Sequence, residues 1–224
     1  MDKRKRRKMR RRRRLQRCLR VCILMSVITI LGVLGIKILQ EGKFWDRYVE
    51  NTGSEIDALR PEMDVELLTV NSYSRPGMQV NRIRGIVIHY TANPGSTAIQ
   101  NRNYFENLRK TRMTKASSHF IVGLEGEIVQ CIPTWEVAYA SNDRNNDTVS
   151  IETCHWSEDG SYTDATYDSL VELTAWLCKK FDLTEEDVIR HYDVTGKICP
   201  KYFVENEQAW KRFKRDVGNA LDDM

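Results

Sequence analysis

His191 and Cys199 stand eight residues apart in His191-Tyr192-Asp193-Val194-Thr195-Gly196-Lys197-Ile198-Cys199-Pro200, and the glycine between them lets the chain turn both side chains onto one point. A second histidine, His89, follows the apolar run Ile86-Val87-Ile88. Two imidazoles and one thiolate form a borderline-soft donor set suited to Zn²⁺, and three protein ligands leave a fourth position open for water. Such an ion lowers the pKa of its water to about 7 and polarises a carbonyl. Spacing alone does not compel this reading, because isolated His and Cys residues are more often packed or hydrogen-bonded than bound to metal.

Those side chains need strands that end where loops begin. Arg84–Tyr90 is short, apolar and β-branched, and reads as a buried strand. After a loop over 91–96, Thr97–Lys110 reads as a helix with Ile99, Phe105 and Leu108 as core contacts. Ser118–Gly123 and Glu127–Ile132 flank Leu124-Glu125-Gly126, which signals a hairpin. Thr148–His155 reads as another strand. Its pleat puts Glu152 on the face of Ser150 and Cys154, opposite His155, so if Glu152 lines a site His155 does not. A helix is expected from Asp164 or Thr166 to Phe181, with Leu170, Leu173, Leu177 and Phe181 at helical spacing. Val188–Arg190 then leads to His191, and Glu207–Val217 reads as a final amphipathic helix. Strands alternating with helices predict an α/β domain of about 140 residues.

The 224 residues are 41% hydrophobic and 29% charged, with 12 Gly and 5 Pro, which excludes a collagen-like or low-complexity chain. Charge is unevenly spread. Residues 1–40 hold 14 of the 35 Lys and Arg but a single acid, Asp2, so residues 41–224 carry a net charge of −9. The run over 21–39 is uncharged apart from Lys37, and at 1.5 Å per residue about 20 residues cross a hydrocarbon core of roughly 30 Å. The basic block before it predicts a cytoplasmic N-terminus and an external C-terminus. No small-x-small cleavage site follows the run, so an uncleaved signal-anchor in the cell membrane is expected. The tail over 1–20 then reads as a topology determinant, and no nucleic-acid partner is expected; binding of nucleic acid by residues 3–20 is a weaker alternative that would show steep salt dependence. Residues 40–80 read as a stalk, 81–218 as the folded domain and 219–224 as a C-terminal tail. Cys131, Cys154, Cys178 and Cys199 are too few for a disulfide-dense scaffold. Cys131 and Cys154 fall on neighbouring predicted strands, and their connectivity stays open.

Residues 84–200 resemble zinc-dependent N-acetylmuramoyl-L-alanine amidases of the type-2 family, which includes phage amidase lysozymes and animal peptidoglycan-recognition proteins. The matching pieces are Ile86-Val87-Ile88-His89-Tyr90-Thr91-Ala92-Asn93, Ser118-His119-Phe120-Ile121-Val122, Ser150-Ile151-Glu152 and His191 through Pro200, in family order. The resemblance implies a central mixed β-sheet flanked by helices, and the apolar run over 21–39 predicts one transmembrane helix before it. It implies Zn²⁺ held by His89, His191 and Cys199, with Lys197 stabilising an oxyanion and Glu152 serving as base and proton shuttle. Amide hydrolysis needs an activated water, a sink for negative charge and a proton for the leaving nitrogen, which these residue types can supply. The implied reaction cuts the bond between N-acetylmuramic acid and L-alanine in peptidoglycan, on the wall side of the membrane. The alternative is a membrane-anchored module that binds muropeptides without cutting them; loss of the last Cys marks non-catalytic relatives, and Cys199 is present. Two departures stand out. Ser118 occupies a position where some members carry a catalytic Tyr, and Val137-Ala138-Tyr139-Ala140-Ser141 stands where many show a Trp-His-Ala-type sequence with a substrate-contacting His. His119 matches a position that is not a ligand in the family and reads as structural or as a support for the ligands.

Overall fold

The structure, a computed structural model, describes residues 56–224. The expected basic tail, the transmembrane helix over 21–39 and residues 40–55 of the expected stalk lie outside the described residues. Among the described residues no helix is long and apolar enough to cross a membrane.

Six strands form one sheet: β1 (Asp64–Val65), β2 (Gly85–Tyr90), β3 (Phe120–Val122), β4 (Ile128–Gln130), β5 (Thr148–Thr153) and β6 (Val188–Arg190), in the order β1-β4-β3-β5-β2-β6. From β3 across to β6 all neighbours run parallel, whereas β4 turns back on β3 as a hairpin and β1 follows β4. The sheet is therefore mixed. Its helices are α1 (Ala98–Thr111), α2 (Asp164–Phe181), α3 (His191–Thr195), α4 (Lys201–Glu205) and α5 (Glu207–Asp222).

The pleat sorts the core onto two faces. Ile86 and Ile88 of β2 and Val149 and Ile151 of β5 meet Leu170, Leu173 and Leu177 of α2 together with Phe203, Trp210, Phe213 and Val217 from α4 and α5. The other face packs Ile121, Val129 and Cys131 against Ala98, Phe105 and Leu108 of α1. Helix ends are capped as their sequences allow: Thr97 and Gln100 form a reciprocal capping box for α1, and the Thr163 side chain accepts from the Thr166 N–H of α2. The hairpin turn is seated on α2, since Thr166 Oγ1 donates to the Gly123 carbonyl at 2.8 Å. Gly126 in that turn has φ +85, and a Cβ there would lie 2.8 Å from the Ala165 carbonyl, so both conformation and space demand glycine.

Several expectations need correction. Ile99 is 44% exposed, because α1 turns Ala98, Asn101, Phe105 and Leu108 inward and leaves its neighbour outside that stripe. Asn101 is buried but satisfied, donating to Ser96 Oγ at 2.8 Å and to the Thr97 carbonyl at 2.9 Å. Cys131 and Cys154 do not sit on neighbouring strands: β3 separates β4 from β5, and both thiols are free. α5 continues to Asp222, so most of the expected tail over 219–224 is helical. The largest change concerns residues 61–80. They are expected as stalk, yet β1 pairs with the edge strand β4, Leu68 is 1% exposed within the second core, and Asn71 pairs with Arg75 across a tight bend. Arg75 makes a bidentate pair with Glu136 at 2.7 and 2.6 Å and also donates to the Leu68 carbonyl at 2.8 Å. Unpaired edge groups on β4 and an uncovered apolar patch are what this segment satisfies.

If residues 61–80 belong to the fold, Leu68→Ala should cost about 2–5 kcal/mol of stability, the range for a truncated buried leucine. Denaturant unfolding measures it, and a change near zero would return the segment to a stalk.

Candidate active site

The three parallel strands β5, β2 and β6 run side by side, and the candidate residues gather where they end. β2 and β5 pair in register so that His89 faces Glu152 across the strands, both on the face opposite Ile88 and Ile151. β6 pairs with β2 from Ile86 to Ile88, which carries the next residue, His191, to the same edge as the first residue of α3. Arg190 fixes that helix start: its guanidinium pairs with Asp193 at 2.8 Å and with Glu207 at 3.1 Å, and the Asp193 carboxylate accepts the Arg190 backbone N–H at 2.8 Å. α3 ends at Gly196 with φ +77, a left-handed conformation that glycine adopts without penalty. The chain then doubles back, and the Tyr192 N–H donates to the Cys199 carbonyl at 2.9 Å.

This brings His89, His191 and Cys199 together. Each offers a donor atom, and these atoms all lie within 4.8 Å of one another; all three residues are buried. The two imidazoles have centroids 4.6 Å apart and planes tilted by 56°. Cys199 Sγ is 3.8 Å from His89 Nδ1. On the far sides of the rings, His89 Nε2 lies 3.1 Å from Ser141 Oγ and His191 Nε2 lies 2.9 Å from Asn142 Oδ1. An amide oxygen only accepts, so His191 Nε2 carries the hydrogen and Nδ1 is left bare. That Nδ1 is buried without a partner, an orphan a cation would satisfy.

Burial dominates the electrostatics. It holds the His89 pKa well below its ordinary value, helped by the charges of His191, Lys197 and His119, and it lowers His191 with help from Lys197. Both rings are thus neutral and able to ligate at neutral pH. Burial pushes the Cys199 thiol up to about 12, with the Glu152 charge adding to the rise. The Glu152 carboxyl is raised to about 8 by burial and opposed by Lys197, and its Oε2 is buried without a partner. Lys197 itself is exposed, and its charge acts on His89, His191, Glu152 and Cys199 alike.

The five candidate residues therefore lie together, three as possible ligands, with Glu152 across the strands from His89 and the exposed charge of Lys197 acting on all of them. His155 lies elsewhere, two residues past the end of β5 and stacked on Tyr90 with centroids 5.2 Å apart. His119 is a structural histidine: its Nδ1 accepts from the Ser150 backbone N–H at 3.0 Å and its Nε2 donates to the Glu136 carbonyl at 2.9 Å. Ser141, Asn142 and Asn145 were not singled out from the sequence, where a polar loop without period gives no signal.

The family described as N-acetylmuramoyl-L-alanine amidase matches residues 79–202. The chain is similar to N-acetylmuramoyl-L-alanine amidase CwlL of Bacillus licheniformis, at 37% identity over 165 residues that make up 68% of this chain and 45% of that protein. N-acetylmuramoyl-L-alanine amidase BlyA of Bacillus subtilis (strain 168) is 34% identical over 171 residues, 67% of this chain and 45% of the relative. The chain thus spans about half the length of the curated relatives it matches. Its fold is similar to the solved catalytic domain of XlyA, with a TM-score of 0.60 and 26% identity over 70% of this chain and 100% of that one. A match over more than half of the sequence, joined to the same mixed sheet, settles the relationship: the chain belongs to the N-acetylmuramoyl-L-alanine amidase family.

Proposed function

We propose that the protein is a peptidoglycan amidase that hydrolyses the bond between N-acetylmuramic acid and L-alanine, with zinc held by His89, His191 and Cys199. The observation that carries this reading is the convergence of three buried donors with one orphaned imidazole nitrogen. The donor set fits: two neutral imidazoles and a thiol that burial keeps protonated until a cation stands beside it. When bound, zinc supplies Lewis acidity toward the scissile carbonyl and a more acidic water. The residues do the rest. Glu152, raised toward neutrality and with Oε2 free of partners, exchanges a proton in the working range; it takes one from the attacking water and returns it to the alanine nitrogen as the C–N bond breaks. Lys197 adds positive charge where the carbonyl oxygen becomes negative. The relatives' names, all N-acetylmuramoyl-L-alanine amidases, support this substrate. The basic tail and the apolar run over 21–39 support a single-pass anchor in the cell membrane with this domain on the wall side.

Purified wall incubated with the full-length chain should yield new L-alanine amino termini by mass spectrometry; stoichiometric zinc with an intact wall overturns the reading. Cys199→Ser and His89→Ala should lose zinc and activity together, and chelation should silence the parent until Zn²⁺ is restored. Glu152→Gln should retain zinc while turnover falls by about 10²–10⁴-fold. A native rate there removes Glu152 from the proton transfer.

Glu152 also makes stability depend on pH. An acid raised from 4.5 to about 8 keeps its proton in the fold after the unfolded chain has lost it. Its stabilising contribution is complete below the unfolded value and disappears as pH rises through the folded one. Thermal unfolding of the metal-free protein should therefore show a Glu152→Gln advantage that grows as pH rises from 4.5 to about 8 and then levels off.

A further inference from the structure

We propose that the loop over residues 139–147 is a clamp that orients both histidine ligands from behind, with Ser141 and Asn142 as positioning residues; the inference rests on the zinc reading above. His89 belongs to β2 and His191 to α3, two elements that do not themselves fix how the rings rotate. Two consecutive loop residues reach both rings. Ser141 Oγ meets His89 Nε2 at 3.1 Å, and Asn142 Oδ1 meets His191 Nε2 at 2.9 Å. The asparagine oxygen imposes the Nε2–H tautomer on His191, and the hydroxyl can accept the same hydrogen from His89. Each ring then turns a bare Nδ1 inward, toward Cys199 Sγ in the case of His89 and toward no protein partner in the case of His191.

The loop is held by hydrogen bonds within itself and to its flanks that do not involve the two rings. Asn145 Oδ1 accepts the backbone N–H groups of Ala140 at 3.0 Å and Ser141 at 2.6 Å. The Tyr139 N–H donates to Ser117 Oγ at 2.9 Å, and Thr148 Oγ1 donates to the Arg144 carbonyl at 2.6 Å. Asn142 has φ +52, a left-handed conformation that asparagine tolerates better than most residues. Groups that accept the outer N–H of a ligating histidine fix its tautomer and raise its basicity, and their loss typically costs 10–100-fold in metal affinity.

The test uses the full-length chain in detergent solution. Asn142→Gly removes the acceptor while leaving the left-handed backbone unstrained, and Ser141→Ala removes the hydroxyl. Competition against a chromophoric chelator should show zinc affinity lowered about 10–100-fold in each, with recovery to within about threefold in Asn142→Asp and Ser141→Thr. ¹⁵N-histidine NMR of the metal-free parent should show His191 protonated at Nε2, and Asn142→Gly should show a mixture of tautomers. Rescue by the conservative variants separates a lost acceptor from a damaged loop. Unchanged affinity in both deletions, no rescue, or a mixed His191 in the parent overturns the clamp. A parent that binds no zinc defeats the metal reading instead, and the tautomer spectra then decide the clamp alone.

Discussion

The central strand β2, held in register between β5 and β6, is the constraint on which the site depends. Backbone pairing of His89 with Glu152, and of Ile88 with Arg190, decides which side chains meet at the strand ends. A slip of one residue would send His89 into the face occupied by Ile88 and exchange a donor for a methyl group. The apolar face beneath resists that slip: Ile86, Ile88, Val149 and Ile151 are fully buried against α2, α4 and α5. Packing energy on one side of the sheet thus buys positional accuracy on the other.

That accuracy has an electrostatic cost, which the pocket turns to use. Imidazoles, thiol and carboxyl are all pushed toward their neutral forms by loss of water, so nothing inside compensates a charge. In the zinc reading proposed above, the cation converts the thiol to thiolate and supplies the missing positive charge. The exposed ammonium of Lys197 stands outside it and counters the rise at Glu152 and Cys199 without needing to be buried.

The strand bearing His89 was legible as a short β-branched apolar run and the hairpin from its glycine turn, while α2 and the start of α5 were legible from apolar residues at helical spacing. Alternation along the expected strand separated Glu152 from His155, although β5 ends at Thr153 and His155 follows it. α4 was not legible: five residues hold little more than one turn, and only the packing of Phe203 against Tyr162, Trp210 and Phe213, at centroid distances of 5.0–5.3 Å, reveals why it forms. β1 escaped because both of its residues are exposed and its reason to exist is the edge of β4. The grouping of His89, His191 and Cys199 could be suspected from residue types and a glycine turn, but resemblance was needed to prefer metal over packing. The backing by Ser141 and Asn142 depends on tertiary closure of a loop onto two distant rings, which no local pattern encodes.

The buried sulfur atoms have a further consequence. Cys131, Cys154 and Cys178 are free, enclosed by apolar neighbours and pushed up to about 12, and Cys199 is enclosed as well. Nucleophilic sulfur is the thiolate, so oxidants and alkylating reagents find almost nothing to attack at Cys131, Cys154 and Cys178 while the fold is intact. The domain can endure an oxidising milieu without cross-links, and the rate at which its thiols become modified is a clock for global opening.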